Sequence, residues 1–497
     1  MDDREKEHSA LAHTLAQLGL TEADIGTSQT IARPPASFDA TQSLPAVAFG
    51  GASDLKPVRE LGRGGMGVVH LAAQKSLDRE VAVKTSIAGT SSVRNALVRE
   101  AKITGSLEHP NLVPVHALGT DEDGTPLLIM KRIEGVTLRE LLDRRDHPAW
   151  APLVAGHDDV LRAEIEILVQ VCRALAFAHA RGVVHRDLKP ENVMIGSFGE
   201  VYLLDWGVAL RLSERANEPA TLVGTPGYLA PEMALGDPTL VDERTDVYLL
   251  GATLYEILAG KMPHDAPGAV GAMMKALAGE APSFEGVDAP PELAALATKA
   301  MAKDSSERPP SADSFREGLA RFLVHRDADI VARDARTALD RAADSATDPA
   351  TAHRALIEAR FGFMTALRMR PGDTKLESEL RATLERLVDR EITLRSVESA
   401  RSLLAELHAP PADLARRLEE LRAEIAKERA DAERMAQADR EADTSATAVP
   451  LTLAMAVAAV FGGFLAAVLV WRAMHGQGSM AASRALAIDV ICVSIFG

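Results

Sequence analysis

At 497 residues the chain exceeds one ordinary domain, so two or three units are expected, with 47% hydrophobic content to supply a substantial core. A net charge of −16 and a pI near 5.4 argue against nucleic acid as the main partner. The two cysteines, Cys172 and Cys492, lie far apart in dissimilar contexts and make neither a disulfide framework nor a metal set.

The charged start Met1-Asp2-Asp3-Arg4-Glu5 lacks the apolar run of a secretory signal peptide. Residues 1–25 predict a short amphipathic helix with Leu11, Leu15 and Leu18 on one face and Gly19 near its end. Residues 26–54 are rich in Ser, Thr, Pro, Gly and Ala and predict a flexible linker, so 1–54 forms a leader. Thr27, Ser28 and Thr30 are open to phosphorylation, as hydroxyls in any such tail are.

The run Leu61-Gly62-Arg63-Gly64-Gly65-Met66-Gly67-Val68-Val69 shares its glycine spacing with dinucleotide-binding turns. Its end, Val68-Val69-His70-Leu71, predicts a strand rather than a helix, which puts the glycines on a hairpin tip. Such a tip can cover phosphates with backbone N–H groups because glycine lets the backbone come close. Val81-Ala82-Val83-Lys84 reads as an apolar strand ending in a cation. A helical run from Val93 to Ser106 is ended by His109-Pro110, and Leu127-Leu128-Ile129-Met130 predicts a buried strand. Residues 137–142 start a helix, and 146–159, with two prolines and a Trp, form an insert with no function assigned.

An apolar helix, Ile165 to Ala180, and the turn Arg181-Gly182 lead into His185-Arg186-Asp187-Leu188-Lys189-Pro190-Glu191-Asn192, followed by the strand Val193–Ile195. A carboxylate, an ammonium and an amide in one short loop suit phosphoryl transfer. Asp187 can orient and deprotonate an attacking hydroxyl, Lys189 can neutralise charge on the moving phosphoryl group, and Asn192 can hold a metal ion. The octamer resembles the catalytic loop of the protein kinase family, in the Ser/Thr form with Lys two residues after the Asp.

The resemblance covers roughly residues 55–325 and implies further roles. The Gly64-Gly65-Met66-Gly67 wording is that of bacterial eukaryotic-like (Hanks-type) Ser/Thr kinases. Leu61, Gly62, Arg63, Gly64, Gly65, Met66, Gly67, Val69 and Ala82 would line the ATP site. Lys84 would bind the α- and β-phosphates, held by Glu100 by family position, with Glu108 a poor second. Met130 would back the pocket, and backbone groups of Lys131 and Ile133 in the hinge would bond adenine. Asp205, in Asp205-Trp206-Gly207, would chelate Mg2+ (Mn2+ as the alternative) together with Asn192. Most kinases have Phe where this chain has Trp206, which puts in doubt how the motif switches rather than its chemistry. Thr225 would support Asp187 and Lys189. Thr221 and Thr225 are the candidate phosphosites, with Arg186 positioned to pair with a phosphate on Thr221. Asp246 would hold the catalytic-loop backbone and Arg308 would pair with Glu232. His179 and Cys172 read as packing residues.

Residues 326–445 shift to Ala, Leu, Arg, Asp and Glu, with Leu376, Leu380, Leu384 and Leu387 on one helical face and Leu414, Leu418, Leu421 and Ile425 on another. Pro371-Gly372 and Pro410-Pro411 separate the helices. Ala359, Phe363, Ala366 and Pro371 are spaced as in half a tetratricopeptide repeat, although amphipathic helices ending in a coiled stalk explain them as well. Residues 449–471 form a transmembrane candidate: the 21 residues from Leu451 to Trp471 carry no charge, enough to cross a ~30 Å hydrocarbon layer at ~1.5 Å per residue. Ala458, Gly462 and Ala466 form a small-residue stripe that could pair two copies as a homodimer. Residues 472–497 are expected to make a short tail with no sizeable sensor domain; 485–496 is apolar but short, and Asp489 interrupts it.

The expected fold class is thus α+β: a two-lobed kinase domain over 55–325, a helical region and a single C-terminal transmembrane helix. The implied function is ATP-dependent Ser/Thr phosphorylation of protein substrates at the cell membrane, with the kinase domain cytoplasmic, autophosphorylation and a role in signalling. The alternative is a pseudokinase or scaffold that recruits partners through the helical region.

Overall fold

The computed structural model describes residues 27, 29–31, 44–50, 53–63, 67–87, 91–155, 159–344 and 348–474. The expected helix over 1–25, the glycine-loop tip Gly64–Met66, Cys492 and the apolar stretch 485–496 lie outside the described residues. The chain divides into two compact units, Met1–Ile330 and Val331–Gly497.

The first unit begins with an antiparallel sheet of β1 (Leu55–Arg63), β2 (Gly67–Gln74), β3 (Arg79–Ser86), β4 (Val115–Thr120) and β5 (Pro126–Lys131), in the order β1-β2-β3-β5-β4. The central strand carries Val81, Ala82 and Val83, all buried, as expected of a β-rich run covered on both faces. Gly67 is required where β2 meets β3, because a Cβ there would stand 2.4 Å from the Thr85 carbonyl oxygen. One helix, α1 (Ser91–Gly105), crosses between β3 and β4 in the chain and turns Glu100 inward at 5% exposure.

The lower part of this unit is helical. Short β6 (Gly135–Thr137) leads into α2 (Leu138–Asp143), which starts on a capping box of Thr137 and Glu140. The insert folds as a short turn of helix, α3 (Trp150–Val154). Trp150 is 4% exposed and its Nε1–H donates to the Leu141 carbonyl at 3.3 Å, so the segment serves as packing. Asp159 caps α4 (Val160–His179) and also pairs with Arg326. Leu168, Val171 and Leu175 of α4 form the core with Val247, Leu250 and Leu254 of the helix Glu243–Ala259 and with Phe315. The long helix Ala312–Ala343 runs unbroken through residue 325, where composition had placed a domain boundary, and the division between units falls inside it.

Glu164 of α4 is 2% exposed, and burial pushes its carboxyl up to about 7 against the pull of its partner Arg145. The unfolded chain releases that proton near the ordinary 4.5, so the folded chain holds an extra proton between about 4.5 and 7. Stability therefore falls as pH rises through that window, by up to ~3 kcal/mol. Glu164→Gln is expected to remove this slope. Urea midpoints at about pH 5 and about pH 8 measure it, and an equal drop in variant and parent would refute the assignment.

In the second unit, Pro349–Met369, Thr374–Thr393 and Val397–Ala405 are separate helices, and Ala412–Met474 is one continuous helix. Ala359, Phe363 and Ala366 are fully buried on one face of the first, and Leu376, Leu384, Leu387 and Val388 on the second. Leu414, Leu418 and Leu421 are buried at the start of the long helix. Its stretch Thr452–Trp471 is, among the described residues, the one helix long and apolar enough to cross a membrane, and none of it is buried.

Candidate active site

In β3, Lys84 lies in register with Val69 of β2 and Leu128 of β5. Its Nζ donates to both carboxylate oxygens of Glu100, at 2.6 and 2.8 Å, and to Asp205 Oδ1 at 3.2 Å. Burial works against the ammonium, but the charges of Asp205 and Glu100 outweigh it and hold its pKa above the ordinary lysine value. The Lys84 charge in turn holds the Asp205 carboxyl below the usual carboxylate range. Glu108 is exposed. At the end of β5, the Lys131 N–H donates to the Pro114 carbonyl at 2.9 Å and so is already committed within the protein.

The loop His185–Asn192 follows a two-residue strand, Val183–Val184, and closes on the single turn Pro190–Asn192. Two non-glycine residues in the site take left-handed backbone conformations, Arg186 (φ +67) and Asp205 (φ +55). Such strain persists only where the surroundings over-determine it. Asp246 supplies that constraint for the loop. Fully buried in the first turn of Glu243–Ala259, it accepts from the backbone N–H groups of His185 and Arg186 at 2.8 and 2.9 Å and pairs with His179 Nε2 at 2.7 Å. Burial alone would raise its carboxyl, but the bonds from His179 and His185 more than offset this and keep it ionised. His179, expected only to pack, is thus also a polar support.

Around Asp187 the hydroxyls and amides converge. Oδ1 accepts from Thr225 Oγ1 at 2.6 Å, and Oδ2 accepts from Asn192 Nδ2 at 3.0 Å. Lys189 Nζ donates to Thr225 Oγ1 at 2.7 Å. The Asn192 amide nitrogen also donates to the Asp187 carbonyl at 2.7 Å, so that nitrogen makes both bonds to Asp187 and the amide oxygen is the atom that could take a cation. Together with the Asp205 carboxylate this is a set of hard oxygen donors. It suits a divalent ion that takes few protein ligands and completes its shell with phosphate and water. Among the described residues no cluster of three or more His, Cys, Asp or Glu forms an all-protein metal cage.

Sequence reasoning assigned no place in the site to several groups found there. Thr30 Oγ1 donates to Asp187 Oδ2 at 2.8 Å and accepts from Lys189 Nζ at 2.8 Å. Glu218 stands 3.5 Å from the Arg186 guanidinium and 2.9 Å from that of Arg99, while Arg186 Nε donates to the Val208 carbonyl. Burial pushes Arg186 down to about 10, which leaves it cationic at neutral pH and in need of an anion. Thr221 is half-buried, and its hydroxyl donates to the Pro219 carbonyl at 2.6 Å. Arg139 of α2 reaches Glu191 of the loop His185–Asn192, Tyr228 and the buried Glu256. No local signal marks the carboxylate and hydroxyl partners of Thr30, Arg186 and Arg139, which are far apart in sequence. Trp206 is 1% exposed and packs edge-on against His185, with ring centroids 4.6 Å apart; its indole N–H has no hydrogen-bond partner among the described residues.

Residues 55–317 match the protein kinase domain family. Serine/threonine-protein kinase PknB of Mycolicibacterium smegmatis is 39% identical over 272 residues, 52% of this chain and 41% of that one. PknB of Mycobacterium tuberculosis is 36% identical over 274 residues, 52% of this chain and 41% of that one. Serine/threonine-protein kinase PknD of Chlamydia trachomatis is 32% identical over 307 residues, 54% of this chain and 31% of that one. The matched part of the chain spans about two fifths or less of the length of these relatives.

Proposed function

Because the chain belongs to the protein kinase family, we propose that it is an ATP-dependent Ser/Thr protein kinase anchored in a membrane by one helix. The observation that carries the reading is the Lys84 ammonium held between Glu100 and Asp205, which joins the two halves of a nucleotide-phosphate site. Lys84 and the glycine hairpin place the phosphates of ATP. Asp205 and Asn192 would hold Mg2+, which neutralises charge between the β- and γ-phosphates when bound. Asp187 orients the acceptor hydroxyl and receives its proton, and Lys189 faces the charge on the phosphoryl group in transfer. Catalysis is then chiefly positioning and charge stabilisation.

We place the regulatory phosphate on Thr221 rather than Thr225, whose hydroxyl is buried and committed to Asp187. A phosphate there competes with Glu218 for Arg186. The helix Thr452–Trp471 supports a single-pass anchor with the kinase unit on the ATP-containing, cytosolic side, in a signalling role, and the Ala458-Gly462-Ala466 stripe supports pairing of two copies.

The test is transfer of labelled γ-phosphate from Mg-ATP to casein, with sites mapped by mass spectrometry. Lys84→Met is expected to lower the rate by about 10²–10³, the scale of losing one preorganised charge in a site. Equal rates in variant and parent would sink the kinase reading in favour of a scaffold.

A further inference from the structure

The leader does more than precede the kinase domain: part of it lies across the active site as a peptide. The Ile31 N–H donates to the Gly224 carbonyl at 2.8 Å, and the Gly224 N–H donates back to the Ile31 carbonyl at 3.0 Å. This is a closed antiparallel bridge. The Gly227 N–H donates to the Thr27 carbonyl at 3.0 Å, so the segment is held on both sides of Thr30. Gly224 permits the approach. Its φ is +104, and a Cβ there would stand 3.0 Å from the Arg186 carbonyl oxygen and 2.6 Å from Met233 Cε. Ile31 is 7% exposed and belongs to the same buried apolar cluster as Leu222, Leu229 and Met233.

This binding sets the Thr30 hydroxyl on the catalytic groups. Its proton points to Asp187 Oδ2 at 2.8 Å, one lone pair takes a bond from Lys189 Nζ at 2.8 Å, and Thr225 Oγ1 is 3.3 Å away. A hydroxyl has one proton and two lone pairs, so one lone pair remains for an electrophile. A peptide that merely blocked the groove would need only the backbone bridge and the Ile31 side chain. Here the residue at the reacting position is one that can react.

We propose that Thr30 is a phosphorylation site of this same active site, and that the segment around it is a built-in substrate with an apolar residue directly after the acceptor. The inference rests on the kinase reading above. In the step, a bond forms between Thr30 Oγ1 and the γ-phosphorus of ATP. The bond from that phosphorus to the oxygen bridging to the β-phosphate breaks, and its electron pair leaves on ADP. The hydroxyl proton passes to the Asp187 carboxylate and then to solvent. The product carries a charge of about −2 beside Asp187, and this repulsion loosens the segment and opens the groove to other substrates.

The experiment uses the full chain in detergent. Amide exchange is followed first without nucleotide, then Mg-ATP and casein are added together and sites are mapped by mass spectrometry. The Ile31 and Gly224 amides are expected to exchange slowly at first and fast after phosphorylation. Thr30 is expected to be labelled at a rate per molecule that does not change on dilution, and Thr30→Ser to carry phosphoserine at the same position. Label on casein with none at Thr30 overturns the inference and leaves the kinase intact. Fast initial exchange of both amides, or a Thr30 rate that falls with dilution, overturns the assignment to the chain's own site. No label on casein or on the chain removes the kinase reading and this inference with it.

Discussion

Asp187→Asn is expected to lower kcat for casein by about 10²–10⁴, the contribution typical of a positioned acid–base group. The geometry makes the amide a poor substitute even where it keeps the shape. Both oxygens of Asp187 are acceptors, one for Thr225 and the other for Asn192 and the Thr30 hydroxyl. An amide presents only one acceptor oxygen, and its NH2 must face a group that is itself donating. If the NH2 faces Thr225, that hydroxyl must turn away from the site, and Lys189, which donates to it at 2.7 Å, loses its alignment. If it faces Asn192 and the substrate, the acceptor hydroxyl loses the group that orients it. Nucleotide affinity should stay near that of the parent, because Lys84, Glu100 and Asp205 are untouched. Steady-state kinetics together with calorimetric ADP binding measures both. A kcat loss below about tenfold would remove the carboxylate from the reaction.

The parts of this site that could be read from the sequence are those whose chemistry is local. The octamer His185–Asn192 carries a carboxylate, a cation and an amide within eight residues, and the turn that closes on Asn192 leaves them on one loop. Lys84 and Glu100 sit 16 positions apart, and only their place in a family pattern suggested the pair that the side chains make at 2.6 Å. Family pattern suggested a phosphate on Thr221 as a partner for Arg186, but carried no signal for Glu218, the carboxylate that stands beside it. Nothing local distinguishes that carboxylate from Glu214, and its role depends on how the loop after Asp205 folds back to Arg99.

Thr30 was the hardest to see. A Ser/Thr-rich leader predicts mobility from composition, and composition has no knowledge of a groove 157 residues away in the chain. The signal that was present is Ile31, the one large aliphatic residue between Gly26 and Ser37, which pairs by backbone with Gly224. The change of composition near 325 lies close to the division between the two units after Ile330, but it marks no helix end. Composition changes there, but the helix Ala312–Ala343 has a continuous hydrogen-bond ladder, and helices do not stop where charge content changes unless a cap or a breaker stops them.

Arg308→Met is expected to destabilise the kinase unit by about 3–5 kcal/mol, the cost of leaving a buried charge without its partner. The Arg308 side chain is wholly buried. Nη1 and Nη2 form a two-pronged pair with Glu232 at 2.7 and 2.8 Å, and the guanidinium also donates to the carbonyls of Ala302, Arg244 and Lys303. Methionine restores much of the volume but none of the donors, and the Glu232 carboxylate keeps only the Thr245 hydroxyl, at 2.9 Å. Glu232 lies in the first turn of Pro231–Ala234, directly after the run from Thr225 to Ala230. Loosening it therefore loosens Thr225 and, through Thr225, the grip on Asp187 and Lys189. The double variant Glu232→Gln with Arg308→Met should be less destabilised than the sum of the single changes, because the second change removes the stranded charge. Urea unfolding followed by the fluorescence of Trp150 and Trp206, both buried in this unit, reads the midpoint. Strict additivity of the two changes would mean that the pair contributes no coupling, and the rigidity of the loop that carries Thr225 would then have to come from the Arg139–Tyr228–Glu256 cluster instead.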